Sequence, residues 1–162
     1  MGRDEAPVTP ATRLLRAKGI PFAPRLYPFQ ARDVARHAAQ ALGVEEHAVI
    51  KTLVMAADPR RPFLVLMHGD CEVSTKALAR LLDVKAVAPL SREEAERATG
   101  YQVGGISPLG ARRPLPVYAE ATIFDLPLIY LNGGRRGFLV ALAPAALRTL
   151  LPLVEVRVAQ AG

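Results

Sequence analysis

Cysteine is nearly absent from this chain. Cys71 is the only one in 162 residues, which excludes an intramolecular disulfide and any multi-cysteine metal centre and fits a reducing compartment. Its place shortly before an expected helix start is expected to lower the thiol pKa. A packing role is still the stronger reading. Histidine is scarce too: His37, His47 and His68 lie in separate segments without metal-ligand spacing. No metal is therefore expected, and no Ser-His-Asp or Cys-His nucleophilic arrangement is visible. No other cofactor is expected. No apolar run approaches the roughly 18 residues of a membrane span. Met1–Pro7 carries charges where a secretory signal would need an apolar core. Neither membrane association nor export is expected, and the cytoplasm is the expected compartment. Internal repeats and low-complexity tracts are also lacking.

What is present fits one globular unit. With 51% hydrophobic and 22% charged residues in 162, the chain is long enough to bury a real core without staples. Residues 1–8 read as a loose, flexible tail and 9–162 as a single domain. The net charge of +6 favours a polyanionic partner such as nucleic acid over an acidic protein or a neutral metabolite.

Turn and cap residues divide the chain. Thr9-Pro10 opens a first helix that Gly19 closes, and the proline-broken segment 21–28 suits an edge strand. Asp33 to Leu42 reads as a second helix ending at Gly43, with Val34, Ala38 and Leu42 facing inward. Val49–Ala56 and Phe63–Met67 read as a hairpin. Ser74 caps a helix through Leu82, Val84–Ala88 reads as a strand, and Ser91 with Glu94 forms a capping box for a helix ending near Gly100. Beyond it, strands are expected at Leu115–Ala119, Leu128–Leu131, Phe138–Leu142 and Val154–Val158. A basic turn is expected at 132–137 and a helix at Pro144–Leu151. This order predicts an α/β or α+β fold, a mixed central β-sheet, partly barrel-like, with packed helices.

Two features stand apart from this scaffold. Gly100 to Gly110 combines four glycines with Ser107-Pro108, a composition that suits neither helix nor strand and marks backbone lying against something. Lys51 is a lone charge inside an otherwise apolar strand, where an ammonium needs water, a partner or an anionic ligand. Together with Thr52-Leu53-Val54, Thr99 to Gly110 and Asn132-Gly133-Gly134-Arg135-Arg136-Gly137, these residues make the chain resemble the YbaK/EbsC family of aminoacyl-tRNA deacylases over nearly its whole length.

The resemblance implies the YbaK and prolyl-tRNA synthetase associated-domain fold and an editing activity in trans. Its members most similar in motif clear cysteine from mischarged tRNA(Pro). It implies aminoacyl-tRNA as substrate, prolyl-tRNA synthetase as a transient partner, and no DNA partner. By the same resemblance Lys51 is the functional lysine. Tyr27, Thr52, Gly104, Gly105, Ile106, Ser107, Asn132 and Gly133 complete the substrate cleft, with Ser107 better suited to a turn than to nucleophilic attack. Arg112, Arg113, Arg135 and Arg136 guide the tRNA by phosphate contact. An aminoacyl ester is already reactive, so positioning and charge stabilisation suffice. Lys51 would orient the 3′ end and the Gly104 and Gly105 amides would hold the ester carbonyl. Attack would come from water or, by lyase-type cyclisation, from the thiol of a cysteinyl substrate. The chain departs from the cysteine-editing pattern at Phe138-Leu139-Val140, where an acidic residue is usual, and at Asn132, where a small hydroxyl residue is common. These departures leave serine, threonine, alanine or a non-protein amino acid open as the residue removed; a non-catalytic tRNA- or synthetase-binding module and a small-molecule binder are the rival readings.

Overall fold

The computed structural model describes residues 6–162. Of the tail expected over residues 1–8, residues 1–5 lie outside this range. Ala6 is buried, and the Pro7 carbonyl accepts a hydrogen bond from Thr12 Oγ1.

Helix α1 (Pro10–Ala17) begins at Thr9, whose hydroxyl and backbone N–H exchange capping bonds with Thr12, and has proline in its first turn. Edge strand β1 (Ala23–Leu26) follows, then α2 (Val34–Leu42), closed by Gly43 in the left-handed region. A short 3₁₀ turn at Glu46–Ala48 leads into β2 (Val49–Ala56), which forms the expected hairpin with β3 (Phe63–His68). Next come β4 (Cys71–Val73), α3 (Thr75–Leu81) capped by Ser74, β5 (Ala88–Pro89) and α4 (Arg92–Thr99) with its Ser91–Glu94 capping box. After the glycine-rich segment the chain builds β6 (Val117–Glu120), a 3₁₀ turn at Ala121–Asp125, β7 (Ile129–Arg135), β8 (Phe138–Leu142), α5 (Ala145–Leu150), β9 (Leu153–Val156) and β10 (Ala159–Ala161).

The main sheet is mixed, in the order β1-β8-β7-β2-β3-β6-β9, with β5 on a remaining edge of β2; β10 and β4 form a second, two-stranded sheet. It is open, with β1 and β9 at its ends, so the partly barrel-like element of the expectation does not extend to a closed barrel. Alternation along β3 feeds two cores. Leu64 and Leu66 join Leu15, Ile123, Leu131 and Phe138 on one face, while Phe63, Val65 and Met67 join Leu78 and Val156 on the other. A third cluster ties α2 to the sheet through Ala38, Ala39, Val49 and Leu139.

Three expected elements are redrawn. Val84–Ala88 is not a strand: α3 unwinds through Asp83 at φ 56°, the Val84 N–H returns to the Ala79 carbonyl, and only Ala88–Pro89 pairs with β2. The basic turn at 132–137 shrinks to Arg136–Gly137, because β7 runs on through a bulge to Arg135, which pairs with Phe138. The final strand splits into β9 and β10. The buried Glu120 carboxylate accepts the Val158 and Ala159 N–H groups and turns the chain toward β4.

Gly133 shows how tightly the bulge is packed: a Cβ there would enter the Phe138 ring, which is fully buried. Gly133→Ala is expected to lower stability by about 1–3 kcal/mol through overpacking. Chemical denaturation checks this, and an unchanged midpoint would contradict the packing described.

Candidate functional site

The site begins where two parallel strands part. β2 and β7 pair only at Val49–Tyr130 and Ile50–Leu131. β3 occupies the other edge of β2 throughout, and β5 rejoins the first edge only at Met55 and Ala56. Between these contacts Lys51–Val54 has no paired strand on that edge among the described residues, and diverging parallel strands leave a crevice at their carboxyl ends. Lys51 and Asn132, the next residue on each strand, line a cleft of about 270 Å³. Val34, Ala35 and Ala38 of α2 form one wall, and Val103, Gly104 and Ile106 of the glycine-rich segment form another.

Lys51 is the only charged side chain lining the cleft among the described residues. It is half-buried, and its Nζ donates to the Cys71 carbonyl at 2.5 Å. Two hydroxyls at the cleft, Thr52 Oγ1 and Tyr27 Oη, are buried without a hydrogen-bond partner among the described residues, each at a cost of about 1–3 kcal/mol. Such orphans suit a site whose polar partner arrives with a ligand. Burial also pushes the Tyr27 phenol above its usual value of 10.0, keeping it a neutral donor.

The glycine-rich segment is held in place from both sides. Asn132 Nδ2 donates to the Gly104 carbonyl at 3.1 Å, while its Oδ1 accepts the Gly134 and Arg135 N–H groups of the bulge. Arg136 Nε donates to the Val103 carbonyl at 2.9 Å, and its guanidinium lies over the Phe29 ring. Gly104 has φ +95° and sits against Phe29 and Arg136, where a side chain would collide. Tyr101 anchors the far end through its hydroxyl, which donates to the Leu109 carbonyl at 2.6 Å.

Tyr27, Lys51, Thr52, Gly104, Ile106 and Asn132 therefore meet at one cleft. Others in the expected set do not. The Gly105 N–H is taken by the Gln102 carbonyl and its Cα faces the Arg135–Arg136 backbone, so it offers no amide to the cleft. Ser107 is fully buried, with Oγ accepting the Leu109 N–H, and serves the turn. Gly133 packs on Phe138 and gives its carbonyl to Thr9. Arg112 packs beside Gly100, and Arg113 lines a separate hollow with Leu14, Leu64 and Leu151. Arg135 and Arg136 border a shallow groove that shares Tyr27 with the cleft. The thiol of Cys71 is also corrected. It lies in β4, and burial together with the neighbouring Asp70 carboxylate pushes its pKa up rather than down. The small residues of α2 carried no signal of their own, because Ala35 and Ala38 look like any packed helix face.

Residues 30–150 match the family described as the aminoacyl-tRNA editing domain. The chain is 29% identical over 143 residues to the Enterococcus faecalis protein named "Putative Cys-tRNA(Pro)/Cys-tRNA(Cys) deacylase EbsC", covering 88% of this chain and 87% of that protein. It is 34% identical over 85 residues to a proline–tRNA ligase of Bacillus velezensis, covering 52% of this chain and 15% of the ligase. A solved structure described as a "putative trans-editing enzyme for prolyl tRNA synthetase" superposes with a TM-score of 0.80 at 24% identity, covering 95% of this chain and 99% of that one.

The glycine-rich segment gives a pH prediction. Burial pushes the Tyr101 phenol up to about 12 from 10.0. The unfolded chain loses that proton first, so the Tyr101 contribution is fully present below pH 10 and is lost as pH rises from 10 toward 12. Tyr101→Phe is expected to cost about 1 kcal/mol at neutral pH by removing the bond to Leu109 and to flatten the alkaline decline. Urea denaturation at a series of pH values measures both, and an alkaline slope unchanged in the variant would contradict the assignment.

Proposed function

The chain belongs to the aminoacyl-tRNA editing domain family, with the YbaK/EbsC-type motifs, and from that premise we propose that it is a trans-editing deacylase that removes cysteine from tRNA(Pro). The observation that carries this reading is the composition of the cleft: one half-buried ammonium, two unpartnered hydroxyls and the Asn132 amide in a pocket walled mainly by aliphatic side chains. The Tyr27 and Thr52 hydroxyls pair with the amine and carbonyl that every aminoacyl ester carries. The aliphatic wall of Val34, Ala35, Ala38 and Leu139 receives the amino-acid side chain, where a thiol is cheaper to bury than a hydroxyl. Lys51, fixed by the Cys71 carbonyl, holds the 3′-terminal nucleotide as a point charge. The Gly104 amide, the member of the Gly104–Gly105 pair that lines the cleft, meets the ester oxygen as negative charge develops.

The attacking group comes with the reaction. Thr52 has no hydrogen-bonded base to activate it, and Ser107 is sealed in its turn. Water, or the thiol of a cysteinyl substrate closing on its own ester carbonyl, then expels the tRNA 3′ oxygen. Arg135 and Arg136, at the shallow groove that shares Tyr27 with the cleft, guide the acceptor end, and Arg112 and Arg113 add remote phosphate contacts; prolyl-tRNA synthetase is the proposed transient partner. The likeness to EbsC over nearly its whole length supports the trans mode, and a cytoplasmic setting follows from the substrate. No described helix is long and apolar enough to cross a membrane.

A matrix of mischarged tRNAs, each followed for release of its amino acid, tests the reading. Cysteine release from tRNA(Pro) is expected to be fastest, with Lys51→Ala slowing it about 10²–10³-fold. Preferential release of serine, threonine or alanine would reassign the pocket, and tRNA binding without turnover would make the chain a binding module. Thr52→Val is expected to lower deacylation while leaving the unfolding midpoint unchanged or higher, because it removes an unpaired buried hydroxyl.

A further inference from the structure

Beside the cleft, and outside it, the fold gathers three potential metal ligands from two segments. His47 belongs to the 3₁₀ turn before β2, while Asp70 and Cys71 follow β3. The two segments are locked together: the Gly69 N–H donates to the Val49 carbonyl at 2.7 Å, and a Cβ on Gly69 would lie 2.7 Å from the Glu46 carbonyl oxygen. His47 Nδ1 lies 2.8 Å from Asp70 Oδ1, Cys71 Sγ lies 3.5 Å from the same oxygen, and all three ligand atoms fall within 4.8 Å of one another. Tetrahedral zinc bonds to nitrogen, oxygen and sulfur place their ligand atoms about 3.3–3.6 Å apart, so modest opening of the His47–Asp70 contact accommodates an ion.

The histidine is aimed in advance. Its ring stacks on His68 at 3.7 Å between centroids, with planes 7° apart. His68 is itself fully buried and pinned by the His47 carbonyl at Nδ1 and Thr122 Oγ1 at Nε2. A ligand histidine held by rigid packing needs little ordering when a metal arrives. On the open side of the cluster, Asp70 and Cys71 border a hollow of about 370 Å³ shared with Glu46, Glu72, Lys51 and Arg36.

We propose that His47 Nδ1, the Asp70 carboxylate and Cys71 Sγ form a three-ligand site for a divalent transition metal of the zinc type, its fourth position open to that hollow. The donor set argues for zinc over magnesium or calcium, which favour all-oxygen sites. Asp70 and the Cys71 thiolate, its proton released on binding, balance the ion's charge. The site adjoins the cleft through one residue, since the Cys71 carbonyl is the acceptor that holds Lys51 Nζ. An ion on Cys71 would fix the peptide that orients the lysine. The metal site does not depend on the editing reading, and its test does not use deacylation.

Metal-stripped protein, kept reduced with a phosphine, is titrated with Co²⁺ and then with Zn²⁺. The expected result is thiolate-to-cobalt charge-transfer absorption saturating at one equivalent and displaced by Zn²⁺. It should be abolished by Cys71→Ser, and the affinity should fall about tenfold or more in His47→Gln and in Asp70→Asn. Absence of the absorption in the unaltered protein would overturn the site. So would an affinity that His47→Gln and Asp70→Asn leave unchanged, which is the behaviour of a lone exposed thiol. The three side chains are all partly exposed, and circular dichroism of each variant checks that its fold is retained.

Discussion

The parting of β2 and β7 after two paired residues is the constraint on which the site depends. Parallel pairing at Val49–Tyr130 and Ile50–Leu131 sets the register, so the next residue on each strand, Lys51 and Asn132, opens onto the same gap. Had pairing continued, both would have been paired on both edges rather than on one. Because it stops, β2 leaves four residues, Lys51–Val54, without a paired strand on that edge, and the glycine-rich segment closes the space instead of a strand.

That closure combines apolar burial, with Leu109 in the core and Val103 and Ile106 packed against it, with polar ties that fix the cleft-facing backbone. Asn132 and Arg136 reach from β7 and its turn to the carbonyls of Gly104 and Val103, so the bulge in β7 and the shape of the cleft are one structure. Lys51 is held in the same way, by a main-chain carbonyl instead of a carboxylate. Among the described residues no carboxylate forms an ion pair with it, the state in which an ammonium can still serve an anionic ligand. The apolar walls supplied by α2 and Leu139 leave the few polar groups in the cleft to set orientation, the usual division of labour in a small ligand site.

Much of this was legible in the sequence, for physical reasons specific to each residue. A lysine in an apolar strand and a dense glycine segment each violate local rules, and both violations mark the cleft. Caps at Thr9, Ser74 and Ser91 located their helices because capping is local chemistry. What could not be read depends on long-range placement. Gly104 and Gly105 are equivalent as sequence, and only the fold, which ties the Gly105 N–H to Gln102 and leaves Gly104 lining the cleft, tells them apart. The reach of β7 to Arg135 depends on a bulge that Phe138 imposes from the next strand. His47 lies 23 residues from Asp70, so no spacing rule could join them.

The central claim is that the aminoacyl ester end of tRNA sits between β2 and the glycine-rich segment. Its most direct measurement is the set of backbone amide shifts, followed by NMR, on titration with a non-hydrolysable 3′-cysteinylamino analogue of adenosine. The account predicts that the largest changes fall on Lys51, Thr52, Gly104 and Asn132. Shifts centred on the hollow beside Arg113, with those four amides unmoved, would contradict it.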